Sequence, residues 1–232
     1  MNEEQKIPQC IGVIMDGNRR WAKEQGLVGT AGHLAGYEKL KEFLGWVNEV
    51  GIKYVIAYAF STENWKRDPG EVEFLMNIFR TALEQSLSEF KKNGVRLKII
   101  GDKSRLPKDL QEKIDKAEDE TKGGEVCLVL AISYGGRAEI LSAVKKLVAE
   151  NSPEEIQKME EKDFGNYMWT KDIPDPDLII RTSGELRTSN FLPWQSAYSE
   201  WFFLNTYWPA ITKVEFNQML IDYSNRKRRL GK

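Results

Sequence analysis

Histidine and cysteine are scarce in this chain of 232 residues, which contains one histidine, His33, and two cysteines, Cys10 and Cys127. A single histidine excludes a metal site built from several imidazoles. A Ser-His-Asp triad would have to use His33, and the Gly-x-Ser-x-Gly turn that presents such a serine is absent. The cysteines are far apart and lie beside or within apolar runs, so we expect reduced thiols packed in the core.

The chain also lacks a basic excess and a long apolar run. Its formal net charge of -1 disfavours nucleic acid as the main partner, because such binders usually carry clear positive charge. No apolar run approaches the roughly 18–20 residues of a membrane span, and the start MNEEQKIPQC has no apolar segment typical of a signal peptide. We therefore expect a cytoplasmic protein whose anion sites are local clusters of positive charge.

Strand-length apolar runs alternate with helical periodicities along the whole chain. This alternation predicts an α/β fold with about six mostly parallel strands flanked by helices on both faces. With 41% hydrophobic residues and no linker or repeat, residues 1–232 are interpreted as a single domain. The predicted strands are Ile11–Met15, Tyr54–Phe60, Val95–Ile100, Val126–Ser133, Leu178–Arg181 and Glu200–Asn205.

Helical periodicity marks the segments between these strands. The clearest is a long amphipathic helix from about Glu71 to Lys92, which Asn93-Gly94 would end. Other helices are predicted around residues 40–50 and 110–117, over Ala138–Ala149 and over Lys213–Arg228. The charged stretch Asn151–Asp163 is interpreted as a surface helix or loop.

Polar and basic residues follow the first, second and fifth predicted strands at the point where each ends. In open parallel sheets, ligands bind beyond the carboxyl ends of the strands. Asp16 ends the first strand, 61–67 follow the second and 181–189 follow the fifth. We expect the three segments to meet in one site.

The first segment, Asp16–Trp21, has the sequence DGNRRW. Gly17 allows a sharp turn, the following amides favour phosphate at a helix start, and Arg19 and Arg20 add forked donors. Asp16 would repel phosphate directly but could hold Mg²⁺ that bridges to it. Taken alone, the same pattern fits an Asp-Gly turn with two solvated arginines.

The second segment, Tyr58–Arg67, passes from an apolar strand into polar groups, an indole and two bases. Ser61 and Asn64 can donate hydrogen bonds and Arg67 can bind an anion, while Trp65 offers an apolar wall. That combination suits an amphiphilic ligand. The alternative is a helix cap formed by Ser61 with Asn64 or Glu63, plus core aromatic residues.

The third segment, Arg181–Phe191, holds two arginines, hydroxyls and a glycine turn. Arg181, Arg187 and Ser189 form a plausible second phosphate cradle, with surface arginines as the alternative. Glu200 enters a later apolar strand, where a carboxylate is costly unless it binds a metal or pairs with a base. A nucleotide kinase is disfavoured because Gly-x-x-x-x-Gly-Lys-[Ser/Thr] and Gly-x-Gly-x-x-Gly are both absent.

The chain resembles the cis-prenyltransferases, and most closely the bacterial undecaprenyl diphosphate synthases. The likeness runs from Ile11 to about Gly231. It is carried by Met15–Ala22, Gly32-His33, Tyr58–Trp65, Ile99–Asp102, Tyr134–Arg137 and Ile180–Phe191 leading into Glu200. The Asp-Asp-x-x-Asp motif of trans-type enzymes is absent.

The resemblance implies Mg²⁺-dependent extension of an allylic diphosphate, farnesyl diphosphate in the usual case, by isopentenyl diphosphate with new Z double bonds. It implies a fold like that of undecaprenyl diphosphate synthase with an apolar tunnel, a homodimer, and peripheral membrane contact through the lipid product. The long Glu71–Lys92 helix and the small Ala59 are candidates to line the tunnel. A long product, undecaprenyl diphosphate for a cell-wall lipid carrier, is expected. A short- or medium-chain synthase and a non-catalytic subunit are the alternatives.

The resemblance also implies a role for each candidate site residue. Asp16 and Asn64 are the candidate catalytic residues, with Asn64 assisting proton removal. Asp16 and Glu200 are the candidate metal ligands, with Glu200 reaching across the homodimer. The residues expected to contact substrate are Gly17, Asn18, Arg19 and Arg20 for the allylic diphosphate, Arg181, Arg187 and Ser189 for the isopentenyl diphosphate, and Trp21, His33, Ser61, Thr62, Glu63, Trp65, Arg67 and Thr188 elsewhere in the site.

Two further positions bear on the resemblance. Family members often carry a basic residue where this chain has Gly29, so one phosphate contact is missing or is supplied by Lys23 or a flexible loop. The ending Arg229-Leu230-Gly231 resembles an Arg-x-Gly tail that some members use near the isopentenyl site.

Overall fold

A six-stranded parallel sheet forms the centre of the computed structural model, which describes residues 6–226. Its order is β3-β4-β2-β1-β5-β6, and every pairing is parallel. The strands are β1 Cys10–Ile14, β2 Tyr54–Ser61, β3 Val95–Ile100, β4 Val126–Tyr134, β5 Leu178–Arg181 and β6 Glu200–Phe203. The predicted α/β class and strand count are confirmed.

The central strands are mostly apolar, as expected of a parallel sheet whose two faces are covered by helices. All nine residues of β4 and all five of β1 are buried. Cys10 and Cys127 are free and buried among these residues, as predicted. Burial raises the pKa of the Cys10 thiol well above its usual value, so it stays protonated at neutral pH.

Helices connect the strands and pack on either side of them. They are α1 Asn18–Glu24, α2 Gly29–Glu49, α3 Pro69–Gln85, α4 Leu87–Lys92, α5 Lys108–Glu120, α6 Gly136–Glu150, α7 Pro153–Ile156, α8 Glu161–Phe164 and α9 Lys213–Asn225. Short 3-10 turns occupy Thr62–Lys66, Lys103–Arg105, Gly165–Tyr167 and Trp208–Ala210. Within residues 6–226, no helix has both the length and the apolarity needed to cross a bilayer.

The prediction of one continuous helix over Glu71–Lys92 is wrong, because Ser86 divides it into α3 and α4. The backbone of Ser86 has φ −93° and ψ −3°, which departs from helical values. Its side chain is buried and hydrogen-bonds the hydroxyl of Tyr37 on α2. This tertiary contact competes with regular helix geometry and leaves the apolar periodicity unchanged.

Other differences from the predicted elements lie at their ends. β6 stops at Phe203 rather than Asn205, and α9 stops at Asn225 rather than Arg228. The stretch Asn151–Asp163 contains the short α7 and the start of α8, mostly exposed, as the charge pattern predicted. The Arg229-Leu230-Gly231 ending lies outside the described residues.

The sheet order places the three predicted site segments side by side. β2, β1 and β5 are consecutive neighbours, and their carboxyl ends meet at one edge. Ile14 of β1 lies opposite Tyr58 of β2 and Arg181 of β5. By contrast, Glu200 opens β6 opposite Leu178, the first residue of β5, at the other edge.

Candidate active site

Two adjoining cavities lie at the carboxyl ends of β1, β2 and β5. One has a volume of about 580 Å³ and the other about 600 Å³. Of the predicted site residues, the first is lined by Asp16, Asn18, His33, Ser61, Glu63, Asn64, Arg67, Arg181, Arg187 and Ser189. The second is lined by Asp16, Gly17, Asn18, Arg19, Arg20, His33 and Arg67, with Lys23 and Gly29. Asp16, Asn18, His33 and Arg67 belong to both.

Asp16 is held at the junction of the cavities by the start of the loop after β5. Its amide donates to the hydroxyl of Thr182 at 3.0 Å, and that hydroxyl donates to the Asp16 carbonyl at 2.8 Å. Its carboxylate accepts from Nη2 of Arg181 at 2.7 Å. Arg181 is 2% exposed, and its Nη1 donates to Ser189 Oγ at 2.8 Å and to the Arg187 carbonyl. Arg181 therefore ties the first predicted segment to the third.

The turn after Asp16 requires glycine. Gly17 has φ +95°, and a Cβ there would lie 2.6 Å from a ring carbon of Tyr207 and 3.1 Å from Ser183. Tyr207 also lies 5.6 Å beneath the Arg20 guanidinium and donates to Glu24 at 2.8 Å. Tyr207 and Ser183 thus support the turn that carries Arg19 and Arg20, and no sequence pattern predicted either contact.

The residues after β2 form a helix cap, which was the alternative interpretation of the second segment. The Ser61 amide donates to Asn64 Oδ1 at 2.9 Å, which fixes Asn64 against the cavity wall. Trp65 points away from both cavities: its indole donates to Ser133 Oγ at 3.0 Å and packs edge-on against Phe60. The structure therefore brings Ser61 and Asn64 to the cavity, whereas Trp65 packs against the hydrophobic core behind it.

Three further predicted contacts lie outside the walls of both cavities. They are Trp21, Thr62 and Thr188. The Thr62 hydroxyl donates to Glu63 at 3.1 Å. The Thr188 carbonyl accepts from the Phe191 amide at 3.0 Å, so Thr188 closes the loop that presents Ser189.

Two carboxylates form ion pairs with the cationic side chains of the site, and neither was predicted from the sequence. Glu71 pairs with Arg67 at 2.8 Å, with His33 at 3.3 Å and with Arg19 at 3.3 Å. The i,i+4 spacing of Arg67 and Glu71 was a usable signal for one of these pairs.

The second missed carboxylate is Glu185, which pairs with Arg20 at 3.1 Å and with Arg187 at 2.5 Å. It lies between the two predicted phosphate cradles, since Arg20 follows β1 and Arg187 follows β5. Nothing in the local sequence joins Glu185 to Arg20.

Burial lowers the pKa of His33 below its usual value, although its hydrogen bond to the Glu71 carboxylate and the charge of Glu71 oppose the shift. His33 is therefore neutral at neutral pH and presents one N–H donor and one acceptor. Neutral imidazole beside Arg67 can still donate to a phosphate oxygen.

Buried polar atoms without partners concentrate at this edge of the sheet. Within residues 6–226, such atoms include Asn18 Oδ1, Arg181 Nε and Ser183 Oγ, all in or beside the two cavities. Buried polar groups are normally paired. The fourth such atom in these residues, Gln195 Oε1, lies away from the cavities, so the other three are compatible with a polar ligand at this edge.

The donor set fits a magnesium ion that is shared with a phosphate ligand. Within the described part of the chain, no cluster of three or more His, Cys, Asp or Glu side chains could hold a metal. Mg²⁺ needs no such cluster, because it is usually bound by one or two carboxylates together with substrate phosphates and water. Asp16, about one third exposed between the two cavities, offers one such carboxylate.

Glu200 does not meet Asp16 within one chain. It lies at the opposite edge of the sheet, and its carboxylate pairs with Arg226 at 2.6 Å. Within one chain, Glu200 therefore forms the ion pair that was the alternative to metal binding. Joint metal binding with Asp16 would require Glu200 of a second copy.

An apolar cavity continues inward from the polar ones. It begins at Met15, Asn18 and His33 and runs between α2, α3 and the sheet. Its walls include Ala59, Leu75, Phe79, Leu83 and Phe90, so it lies where the tunnel was predicted. Its volume of about 80 Å³ is small beside the several hundred Å³ of typical ligand pockets, so its walls must separate to admit a long hydrocarbon.

A neighbouring cationic side chain, that of Arg19, lies beside Gly29. A Cβ at Gly29 would lie 3.6 Å from Cγ and Nε of Arg19. Lys23 lines the same cavity. The positive charge that was expected near Gly29 is thus present from α1.

Comparison with known proteins identifies the family of the chain. The family model described as putative undecaprenyl diphosphate synthase matches residues 14–231. The chain is 46% identical to an isoprenyl transferase of Thermotoga maritima, over 97% of both chains. It is 48% identical to a tritrans,polycis-undecaprenyl-diphosphate synthase (geranylgeranyl-diphosphate specific) of Picrophilus torridus, over 97% of this chain and 90% of the relative.

A solved structure extends the agreement to the fold. Lavandulyl diphosphate synthase from Lavandula x intermedia, in complex with dimethylallyl diphosphate, superposes with a TM-score of 0.90 and 33% identity, covering 97% of this chain and 98% of the other. The resemblance of the motifs is thereby confirmed. The chain belongs to the undecaprenyl diphosphate synthase family and is a prenyltransferase of the class that elongates prenyl chains in cis.

Proposed function

We propose that this enzyme condenses isopentenyl diphosphate with an allylic diphosphate in the presence of Mg²⁺ and releases a long Z-polyprenyl diphosphate, undecaprenyl diphosphate in particular. One observation carries the proposal: two cation-lined cavities share Asp16 and open onto one apolar cavity. That arrangement suits two diphosphate esters whose reacting carbons meet at the apolar end.

The two diphosphates are assigned to different cavities. The allylic diphosphate would lie against Gly17, Asn18, Arg19 and Arg20, where the left-handed turn lets the backbone approach. The isopentenyl diphosphate would lie against Arg181, Arg187 and Ser189, with Ser61 and Asn64 beside it. Arg67 and His33 line both cavities and could contact either ligand.

The chemistry depends on stabilising a leaving group. Breaking the allylic carbon–oxygen bond leaves a resonance-stabilised cation and a diphosphate with several negative charges. Arginines preorganised where that charge develops lower the barrier. Bound Mg²⁺ would supply further charge neutralisation to the diphosphate oxygens, held by Asp16.

Proton removal follows the attack of the isopentenyl double bond on the allylic C1. Asn64 is a poor base, and its amide oxygen already accepts from the Ser61 amide. We therefore assign Asn64 to orienting the isopentenyl unit, with a diphosphate oxygen taking the proton.

The primer and the product length are tested together. Purified enzyme with Mg²⁺ and labelled isopentenyl diphosphate is incubated with dimethylallyl, farnesyl or geranylgeranyl diphosphate, and the products are sized. We expect the fastest incorporation with farnesyl diphosphate and a product of undecaprenyl length. Preference for geranylgeranyl diphosphate, the primer in the name of the Picrophilus torridus relative, would correct the primer. Absence of incorporation with every primer would overturn the proposed function.

A homodimer in which Glu200 completes the partner's metal site predicts complementation between two inactive variants. Asp16→Asn and Glu200→Gln are each expected to be poorly active, and mixing them is expected to restore up to about a quarter of the wild-type rate, because half of random dimers are mixed and hold one intact site each. If both ligands act within one chain, mixing restores nothing. The measurement is incorporation before and after exchange of subunits at equal concentrations.

Location in the cytoplasm and membrane contact through the lipid product stay predictions. Vesicle flotation of the enzyme with and without bound polyprenyl product would test the second.

A further inference from the structure

Each arginine of the two proposed cradles is paired with a carboxylate of the same chain. Arg181 pairs with Asp16, and Arg20 and Arg187 pair with Glu185. Arg19 and Arg67 pair with Glu71. Asp16 has a use in holding a cation, but Glu71 and Glu185 place negative charge in a site that has to bind anions.

Glu71 receives its donors from three separate elements. Oε1 accepts a hydrogen bond from Arg67 Nη1, which follows β2, and also contacts Nε2 of His33 on α2. Oε2 forms an ion pair with Arg19 Nη1 on α1 at 3.3 Å. The Glu71 side chain is 15% exposed, whereas those of Arg19 and Arg67 are 62% and 33% exposed. One carboxylate thus sits where the N–H groups of three cavity-lining side chains converge, as an oxygen pair of a phosphate would.

We propose that Glu71 is an internal competitor of the diphosphate substrate, a positioning residue that holds Arg19, Arg67 and His33 in the empty site and yields them when a diphosphate arrives. The inference rests on the proposed function. Glu71 keeps the cations ordered in advance, and its charge opposes the diphosphate that replaces it. It therefore prevents the site from holding a diphosphate product too tightly to release.

The proposal predicts that removing the charge strengthens anion binding. Glu71→Gln keeps the size of the side chain and an oxygen acceptor, so the variant should fold, which a thermal melt verifies. Inorganic diphosphate is titrated calorimetrically into wild type and variant. We expect roughly tenfold tighter binding by Glu71→Gln, from removal of one negative charge a few ångströms from the ligand. The chain-elongation assay should show a lower KM for the allylic diphosphate together with a lower kcat, because product release slows.

Glu73→Gln is the matched control. Glu73 lies two residues away on α3, is mostly exposed, and pairs with Arg80 outside the site. It carries the same change of net charge, so its diphosphate affinity is expected to stay within about twofold of wild type. Glu71→Asp restores the negative charge with a shorter side chain, and its affinity should return toward the wild-type value. A purely structural role would not produce that return.

Three results would overturn the proposal. The first is an affinity of Glu71→Gln for diphosphate that is equal to or weaker than that of wild type. The second is equal tightening in Glu73→Gln, which would indicate net charge alone. The third is tightening that persists in Glu71→Asp. If wild type itself binds no diphosphate, the failure lies with the proposed function rather than with the role of Glu71.

Discussion

Replacing Asp16 with asparagine is expected to lower the rate of prenyl transfer roughly 10²–10³-fold, the range seen when one group that stabilises developing charge is removed. Asparagine keeps an oxygen that can accept from Arg181, which donates to Asp16 at 2.7 Å. It loses the charge that could hold Mg²⁺ beside the diphosphate. Incorporation of labelled isopentenyl diphosphate at saturating Mg²⁺ measures the effect.

Asparagine is preferred to alanine here because Arg181 is 2% exposed, and a buried guanidinium that loses its carboxylate destabilises the fold. Asp222→Asn is the control, since Asp222 is exposed on α9 and accepts from Gln218. It should leave the rate unchanged. A rate for Asp16→Asn within a few-fold of wild type would remove Asp16 from the proposed metal site.

Replacing Gly32 with alanine is expected to lower the free energy of unfolding by about 1–3 kcal/mol and to abolish most activity. A Cβ at Gly32 would lie 2.0 Å from the Asn18 carbonyl oxygen and 2.6 Å from its carbon. Both contacts are with backbone, so α1 has to move away from α2. Because α1 carries Arg19 and Arg20, the allylic cradle moves with it. Urea unfolding and the incorporation assay measure the two effects.

Gly45→Ala on the same helix provides the matched control. A Cβ at Gly45 would meet no atom within 4 Å. Alanine in a helix interior is favoured over glycine by roughly 0.5–1 kcal/mol, so this variant should be slightly more stable and fully active. Equal destabilisation by both variants would show that the contact between Gly32 and Asn18 is not the cause.

The fold was largely predictable because its strands are unbroken apolar runs with clear ends. Val95–Ile100 and Leu178–Arg181 were predicted with the bounds that the structure has. The division of the Glu71–Lys92 helix at Ser86 was not predictable, because apolar periodicity continues through it. The interruption depends on Tyr37, which is distant in sequence.

The site was predictable where chemistry and strand ends coincide, as at Asp16 and Arg181. Ser183 and Tyr207 were missed because their part depends on residues that only the fold brings near. The same holds for the pairing of Glu71 with Arg19 and His33 and of Glu185 with Arg20. The separation of Glu200 from the site could have been predicted from the topology. Arg181 ends one parallel strand and Glu200 begins the next, so the two residues lie at opposite ends of neighbouring strands. The place of Trp65 was not predictable, because an aromatic residue after a strand fits a cavity wall and a core equally well.

Because Arg181 contacts both Asp16 and Ser189, we expect ligand binding in the two cavities to be thermodynamically linked. A cation or ligand that draws the Asp16 carboxylate away releases a buried guanidinium toward the other cavity. Linkage then requires the effect to be reciprocal, so each substrate alters the affinity for the other by the same factor. Each diphosphate is therefore expected to change the affinity of the enzyme for the other through a single ion pair between neighbouring strands.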